Sequence, residues 1–528
     1  MGSKFFYKLN HSVTGGAFII AFFTVVSKLL GLVRERLIAS TFGASEISDI
    51  YYAAFRLPDL IFNTLVLGAL TSAFIPVFQR TWLKDKTKGL ILANSVLNLF
   101  LLGIGVLALA AWIWAPQLVP LATPGFSAWQ LAATVQMTRI MLLAIMFFVF
   151  SNIIGGVLNS WKNFFSFSIA ASFYNIGIIL GVIFYPYLGL NSLAWGVCLG
   201  AFLHLLVQLP EAYKNGWYYK LVLVFSADLK KILRLMMPRT IGLAAGQFNL
   251  IIITMIASTL PAGSIAIFNL ANNLQSLPIS IFAVSLAVAV FPTFTEALGA
   301  NDNKLFAQNF SISLRRILFM LIPISVLILI LRAQIVRVVL GSGAFDWEDT
   351  YYTAQTLGFF ALSIFAQGLI PLLARSFYAL EDTRTPMFIG LLAMLLNIIL
   401  SWFFGREFGV MGLALAFSIS SIVNMILLYI VLGQRTHDLD HGLILKSIIK
   451  ISVNSLVSAF VAYSTLYLLA DFVNMRTFTG ILLKGLGAGL LGLITYVILG
   501  KVFKLEEVHS IEKAIGRFWL FLKNGKNT

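Results

Sequence analysis

Charge is scarce in this chain: only 11% of its 528 residues are Asp, Glu, Lys or Arg, against about 25% in a typical soluble domain. With 59% of residues hydrophobic, the chain cannot be a soluble domain, and it reads as an all-α polytopic membrane protein. Cysteine is scarcer still. The one thiol, Cys198, lies within an apolar run, which excludes a disulfide framework and a thiolate metal cluster and leaves a small core residue. Acids are outnumbered 21 to 37 by Lys and Arg, for a net charge of +16. The bases sit in short clusters between apolar runs and form no single patch, so no nucleic-acid partner is expected. Catalytic signatures are also missing. The sequence contains no glycine loop with a lysine for phosphate, no His pair on one helix face, and no nucleophile with a base at recognisable spacing. His204 in an apolar run and His437 and His441 in a polar loop have no paired carboxylates. No catalytic residue, metal ligand or cofactor is assigned.

What the chain does contain is apolar runs long enough to cross about 30 Å of hydrocarbon. They predict fourteen spans, near 14–40, 48–79, 90–114, 130–158, 165–186, 191–212, 234–258, 264–295, 312–332, 352–380, 386–404, 409–433, 446–470 and 479–502. With that placement, 25 of the 37 basic residues fall on one side of the membrane, and four, Arg332, Arg337, Arg406 and Arg476, fall on the other. By the positive-inside rule both termini are cytoplasmic. Lys4 and Lys8 precede an apolar run too long for a signal peptide, with no small-residue cleavage site, so it reads as an uncleaved first helix. The tail, 504–528, sets Ile511, Ile515, Phe518, Trp519 and Leu522 against Lys513, Arg517 and Lys523, the pattern of an interfacial amphipathic helix.

A weak repeat runs through the chain at an offset of about 216–222 residues. Phe74-Ile75-Pro76-Val77-Phe78 recurs as Val290-Phe291-Pro292-Thr293-Phe294, Gly189 with Leu193-Ala194 recurs as Gly409 with Leu413-Ala414, and Tyr174-Asn175-Ile176 resembles Leu396-Asn397-Ile398. The implied organisation is an N-lobe of six helices (1–213), a cytoplasmic linker (214–233), a C-lobe of six (234–434), two further helices (435–503) and the tail (504–528). Repeated halves are typical of transporters.

The most informative stretch is Ser27-Lys28-Leu29-Leu30-Gly31-Leu32-Val33-Arg34-Glu35-Arg36, which places four charges in the far half of the first span. An ionisable group in a spanning helix costs at least about 2.5–3.5 kcal/mol and usually faces a bundle interior or a wet cavity. At about 100° per residue Lys28, Gly31 and Glu35 share a face, Arg34 lies about a third of a turn round, and Gly31 permits a bend. Arg36 can instead mark the headgroup end of the span. In the second span Asp49, Arg56 and Asn63 recur every seven residues and share a face, and Pro58 is expected to kink the helix. Asp49 also suits a helix start, and Arg56 an ion pair with Asp59 or Asp49. The eighth span offers neutral amides instead, Asn269, Asn272, Asn273 and Gln275, which can bind sugar hydroxyls or satisfy one another across helices. Arg239 and Arg375 read as interface or loop anchors. Asp346, Glu348 and Asp349 read as a solvated helix N-terminus, with an extracytoplasmic glycosyltransferase as the enzymatic alternative.

The first-span stretch, together with Asp49-Ile50-Tyr51-Tyr52-Ala53-Ala54-Phe55-Arg56-Leu57-Pro58, Gly68-Ala69-Leu70-Thr71-Ser72-Ala73-Phe74-Ile75-Pro76-Val77-Phe78 and Phe377-Tyr378-Ala379-Leu380-Glu381-Asp382-Thr383-Arg384-Thr385-Pro386, resembles the MurJ (MviN) lipid II flippase family of the multidrug/oligosaccharidyl-lipid/polysaccharide exporter superfamily. The resemblance covers essentially all fourteen spans. It implies two pseudo-symmetric six-helix lobes around a central cavity, with the last two helices as a lipid-tail groove. The implied activity is alternating-access transfer of an undecaprenyl-diphosphate-linked peptidoglycan precursor across a bacterial plasma membrane by a monomer. Carried over by position, Lys28, Arg34, Glu35, Asp49 and Arg56 are candidate substrate-binding residues, and the eighth-span amides Asn272 and Asn273 join them. Bases and acids common in the family fall here at Phe62 or Asn63, Leu67 and Asn273, so the implied cavity is less cationic than the family pattern. Where some members carry acids for sodium, Asn397 is followed by Ser401, which leaves coupling to sodium or to membrane potential open. Another exporter of the superfamily, a cell-wall glycosyltransferase and a membrane scaffold are the alternatives.

Overall fold

In hydrocarbon every backbone N–H and C=O must find its partner within the protein, and the computed structural model meets that demand with helices, with no β-strand among the described residues. It describes residues 13–67, 73–436, 438–474 and 477–508. Lys4, Lys8, the Gly68–Ser72 part of the second-span motif, His437, Arg476 and the tail beyond Val508, with its expected amphipathic helix, lie outside the described residues, as does the side chain of Arg239.

The first span is α1 (Val13–Phe42), unbroken across its four charges. The second is fragmented into α2 (Glu46–Ala54), α3 (Arg56–Ile61), a π-helical turn (Phe62–Leu67) and α4 (Ile75–Lys84). There follow α5 (Lys86–Ala122), α6 (Ala128–Ser160), α7 (Phe164–Ile183), the short α8 (Tyr185–Leu188), α9 (Asn191–Leu206), α10 (Leu209–Lys214) and α11 (Ala227–Ser258). The chain then forms α12 (Ser264–Pro278), a π-helical segment (Ile279–Val284), α13 (Ser285–Gly299), α14 (Asn303–Val339), α15 (Trp347–Ala361), α16 (Ile364–Ala379), α17 (Arg384–Phe408), α18 (Val410–Arg435), α19 (His441–Leu468) and α20 (Phe478–Val502). Among the described residues ten helices are long and apolar enough to cross a membrane, or twelve if the bent pairs in α11 (46°) and at α15–α16 (45°) each count as one span. Charged α1 and the fragmented second span are the other two expected crossings, so the segmentation is consistent with fourteen.

Helix starts follow from capping chemistry. Asp85, Ser127, Ser226, Asp302, Asp440 and Thr477 each accept a backbone N–H in the first turn of the helix that follows, with Ser127 and Gln130 forming a reciprocal capping box. The repeated glycines also find a physical reason. Gly189 (φ +67°) and Gly409 (φ +59°) make equivalent left-handed turns into α9 and α18, with nothing within 4 Å of an added Cβ, so conformation and not space selects glycine at both.

The chain divides into two compact units, Met1–Ala266 with Ser342–Asp346, and Ile267–Gly341 with Trp347–Thr528. In the first, Phe74 and Phe78 of the repeated motif are fully buried, in a core shared with Val96, Leu97, Ile153 and Leu158. In the second, Phe294 packs with Phe306, Phe310 and Phe377 in the equivalent core. The expected linker is a strap of the first unit. Its irregular backbone between α10 and α11 is held by α5, where Asn94 accepts from Lys220 N (2.9 Å), Asn98 donates to the carbonyls of Lys220 and Val222 (2.9 Å each), and Ser95 accepts from Val224 N (3.1 Å).

Also in the first unit, α7 and α9 touch backbone to backbone through Gly177 and Gly181 against Gly196 and Gly200. A Cβ on Gly177 would stand 2.2 Å from Gly200 Cα. Between apolar helices in lipid, this close approach of small residues is itself the source of affinity. Gly177→Val should therefore lower the melting temperature of the purified protein markedly, because overpacking costs about 1–3 kcal/mol and backbone cannot yield as a side chain can. Gly103→Ala, with nothing within 4 Å, should leave it unchanged; differential scanning fluorimetry in detergent compares the two.

Candidate functional site

The first-span charges nucleate a polar cluster within the first unit. Arg34 pairs with the neighbouring Glu35 carboxylate, which also accepts the hydroxyl of Tyr52 from α2. On its other side the Arg34 guanidinium donates to Asn175 Oδ1 of α7 at 3.1 Å. Asn175 is itself fixed, its amide donating to the carbonyls of Ser27 (3.2 Å) and Ala171 (3.1 Å) and to Ser27 Oγ (3.3 Å). Gly31 lies over this contact, an added Cβ falling 3.8 Å from Asn175 Oδ1. That is ordinary van der Waals contact, and the helix runs through Gly31 without the bend that the glycine would permit. Tyr51 and Tyr174 lie within electrostatic reach of Arg34 and Glu35, and Asp59 within reach of both tyrosines, so the cluster joins α1, the second span and α7.

Two donors are left over. Arg34 Nε is buried with no hydrogen-bond partner, and Lys28, half-buried one and a half turns earlier, makes no hydrogen bond or ion pair among the described residues, its charge felt by Arg34. The arrangement is a fixed guanidinium with a second cation beside it, both short of acceptors.

The common face expected for Asp49, Arg56 and Asn63 is interrupted. Pro58 has no N–H to return to the Ala54 carbonyl, which instead accepts from Thr138 of α6 at 3.2 Å, and the helix breaks at Phe55. Asp49 then serves the chain: its two oxygens accept the backbone N–H groups of Gly263 (2.7 Å) and Ala266 (2.8 Å), with Ile265 close by, at the start of α12. This is helix N-terminal capping by a distant carboxylate. Arg56, 7% exposed, donates through Nε to Thr254 Oγ1 of α11 at 2.6 Å and lies within electrostatic reach of Asp59. Asn63 falls in the π-helical turn.

In the second unit the neutral amides form a ladder. Gln275 donates to Asn272 Oδ1 (2.9 Å), Gln367 donates to Gln275 Oε1 (2.8 Å) and to Ser363 Oγ (2.9 Å), and Ser363 meets Ser418 Oγ (2.8 Å). The ladder ties α12, the α15–α16 break and α18, so Asn272 and Gln275 take the helix-bridging role. Asn273 lends its carbonyl to Ser276 at 2.8 Å. Asn397 and Ser401 are buried and bonded to each other at 3.3 Å. Glu348 and Asp349 lie in the first turn of α15, where the positive helix end favours them. Arg375 donates to the Pro371 carbonyl of its own helix at 3.2 Å.

Sequence reasoning passed over Tyr52 and Thr254 as partners, and noted Asn175 only as a repeat marker. An asparagine in an otherwise apolar span was the available signal for its role.

Comparison with known proteins matches residues 38–486 to the family described as lipid II flippase MurJ. A lipid II flippase MurJ of Burkholderia cenocepacia is 30% identical over 78% of this chain and 82% of its own length. A probable lipid II flippase MurJ of Bdellovibrio bacteriovorus is 27% identical over 95% and 97%. Among solved structures, a lipid II flippase MurJ in an inward closed conformation superposes with a TM-score of 0.77 at 27% identity, over 92% of this chain and 98% of that one. An inward-facing MATE transporter of the MOP superfamily shares the fold at 14% identity, with a TM-score of 0.67 over 78% and 94%. With a match to the family over most of its length, a relative 30% identical across four-fifths of both chains and a MurJ fold throughout, this chain belongs to the lipid II flippase MurJ family.

Proposed function

We propose that this multi-pass membrane protein is a lipid II flippase, carrying the diphosphate-linked peptidoglycan precursor across the bacterial inner membrane by alternating access. The observation that carries the reading is the Arg34 cluster: a guanidinium held by Glu35 and Asn175, with Nε unpartnered and Lys28 beside it. A diphosphate in bare hydrocarbon faces a prohibitive desolvation cost. Charge-assisted hydrogen bonds from Arg and Lys offset it. In this proposal Lys28, Arg34 and Arg56 supply cations, and Glu35 and Asp49 set their positions and the local backbone. The breaks in the second span and between α15 and α16 and the π-helical segment before α13 provide the flexible points such a cycle needs. The protein acts as a monomer, with both termini in the cytoplasm.

Lys28→Ala should weaken binding of the diphosphate lipid by roughly tenfold to a hundredfold, the worth of one charge-assisted contact, with an almost unchanged melting temperature. Lys28→Arg should retain flipping in reconstituted vesicles. Normal flipping with alanine at position 28 would remove Lys28 from the substrate.

Arg34→Glu should abolish translocation while membrane insertion persists. The control is Asn175→Leu, which takes away one tether and leaves the charge; a partial defect there separates positioning from charge. Equal loss of protein level and transport in Arg34→Glu would instead assign Arg34 to folding.

Orientation is open to a labelling test because Cys198 is the single cysteine. In a Cys198→Ser background, a membrane-impermeant thiol reagent applied to spheroplasts should modify Phe472→Cys and spare Lys88→Cys; the reverse pattern would invert the topology.

A further inference from the structure

The second unit carries a pocket of mixed polar and apolar lining at the end of α14 that the substrate cluster does not use. A cavity of about 320 Å³ lies between the last turns of α14 and the first turns of α15, with Arg332, Gln334, Trp347, Thr350, Tyr351 and Gln355 on its walls. That volume is at the low end of the roughly 300–1,000 Å³ of small-molecule sites. The apolar run of α14 stops at Arg332, and α15 opens at Trp347 just after the polar Asp346. The pocket therefore stands at the level where hydrocarbon meets headgroups. Trp347 and Tyr351, 59% and 56% exposed, are the residue types that anchor at that level.

Its polar groups are asymmetric. Arg337 is occupied, its guanidinium stacked 4.4 Å from the Trp347 ring centroid and 3.4 Å from Thr350 Oγ1. Arg332 is not neutralised: among the described residues it forms no ion pair, and its hydrogen bond is one from Nη1 to the Leu329 carbonyl of its own helix at 2.6 Å. Arg315 on the same helix shows the contrast, gripped by Glu506 (3.0 Å) and Glu507 (2.9 Å). Gln334 has the opposite need, because its Oε1 is buried without a hydrogen-bond donor, a condition proteins normally avoid.

We propose that this pocket binds the phosphoethanolamine headgroup of a membrane glycerophospholipid, the phosphate on Arg332 and the ammonium donating to Gln334 Oε1 beside the aromatic rings. Arg332 supplies up to four further N–H donors in the planar geometry that phosphate oxygens accept. A primary ammonium satisfies the orphaned carbonyl and is attracted to aromatic faces, whereas a choline headgroup has no N–H to give and a glycerol headgroup adds no positive charge. This site is independent of the flipping reaction.

The test uses the delipidated full-length protein in detergent, titrated with phosphatidylethanolamine, phosphatidylglycerol or phosphatidylcholine of identical acyl chains, with bound lipid counted by native mass spectrometry. Phosphatidylethanolamine should bind tightest. Arg332→Gln should weaken its binding by roughly tenfold or more, and Gln334→Leu should erase the preference for ethanolamine over choline while phosphatidylglycerol binding stays as it was. Equal binding of the three lipids, a preference for phosphatidylglycerol, or unchanged binding in Arg332→Gln would overturn the proposal. The Arg332 stem packs against Gly358, so if Arg332→Gln does not fold, Gln334→Leu decides alone: an intact ethanolamine preference there refutes the site.

Discussion

A charge inside a membrane span must be held by the protein around it, and the pairing of Arg34 with Glu35, Tyr52 and Asn175 is how this chain meets that requirement. Breaking one partner of a buried ion pair typically costs about 3–5 kcal/mol, so the positions of α1, α2 and α7 are coupled through this one group. Asn175 also reaches back to the Ser27 carbonyl and hydroxyl, which fixes α7 against α1 on both sides of Gly31. The first unit is organised around a charged cluster whose own satisfaction is incomplete at Arg34 Nε, and on that incompleteness rests the proposal that the cluster receives the diphosphate.

The same rule, that no polar group goes unserved in hydrocarbon, explains the irregular backbone. Pro58 leaves the Ala54 carbonyl without its helical donor, and Thr138 replaces it. The first turn of α12 has unsatisfied N–H groups, and Asp49 takes two of them. The strap after α10 has no helix of its own, and Asn94, Ser95 and Asn98 serve its backbone. At the α15–α16 break, Ser363, Gln367 and Ser418 bond one another and pass the chain of hydrogen bonds on to Gln275 and Asn272. At Pro58 and at the α15–α16 break these bonds let a span break while the groups freed there are served, which a transporter that changes conformation requires and a rigid bundle does not.

The two units share a sequence repeat but not a chemistry. Equivalent phenylalanines, Phe74 and Phe294, are fully buried in both cores, and equivalent glycines, Gly189 and Gly409, make the same left-handed turn. Asn175 and Asn397 occupy matching positions, yet the first serves an arginine and the second a serine. Ionic around Asn175 and neutral around Asn397, the polar partners at this repeated position have diverged on a common scaffold.

Length and periodicity of apolar runs were enough to read helices, span limits and the repeat from the sequence, because hydrocarbon admits few backbone solutions and each leaves a run of recognisable length. The charges of α1 were legible for the same reason: a lysine and an arginine in a span stand out against their cost. What the linear order could not hold was which distant atoms serve them. Heptad spacing put Asp49 and Arg56 on one face, but the missing N–H of Pro58 broke that helix, and the two side chains found partners some two hundred residues away, at Gly263 and Thr254. The amides of α12 looked equally fit for sugars or for each other, and only the placement of Gln367 beside Gln275 gave Asn272 and Gln275 to the helix bridge. Spans are determined by local free energies of transfer, which add along the sequence; the pairing of buried polar groups is determined by geometry between helices, and that exists only once the chain has packed.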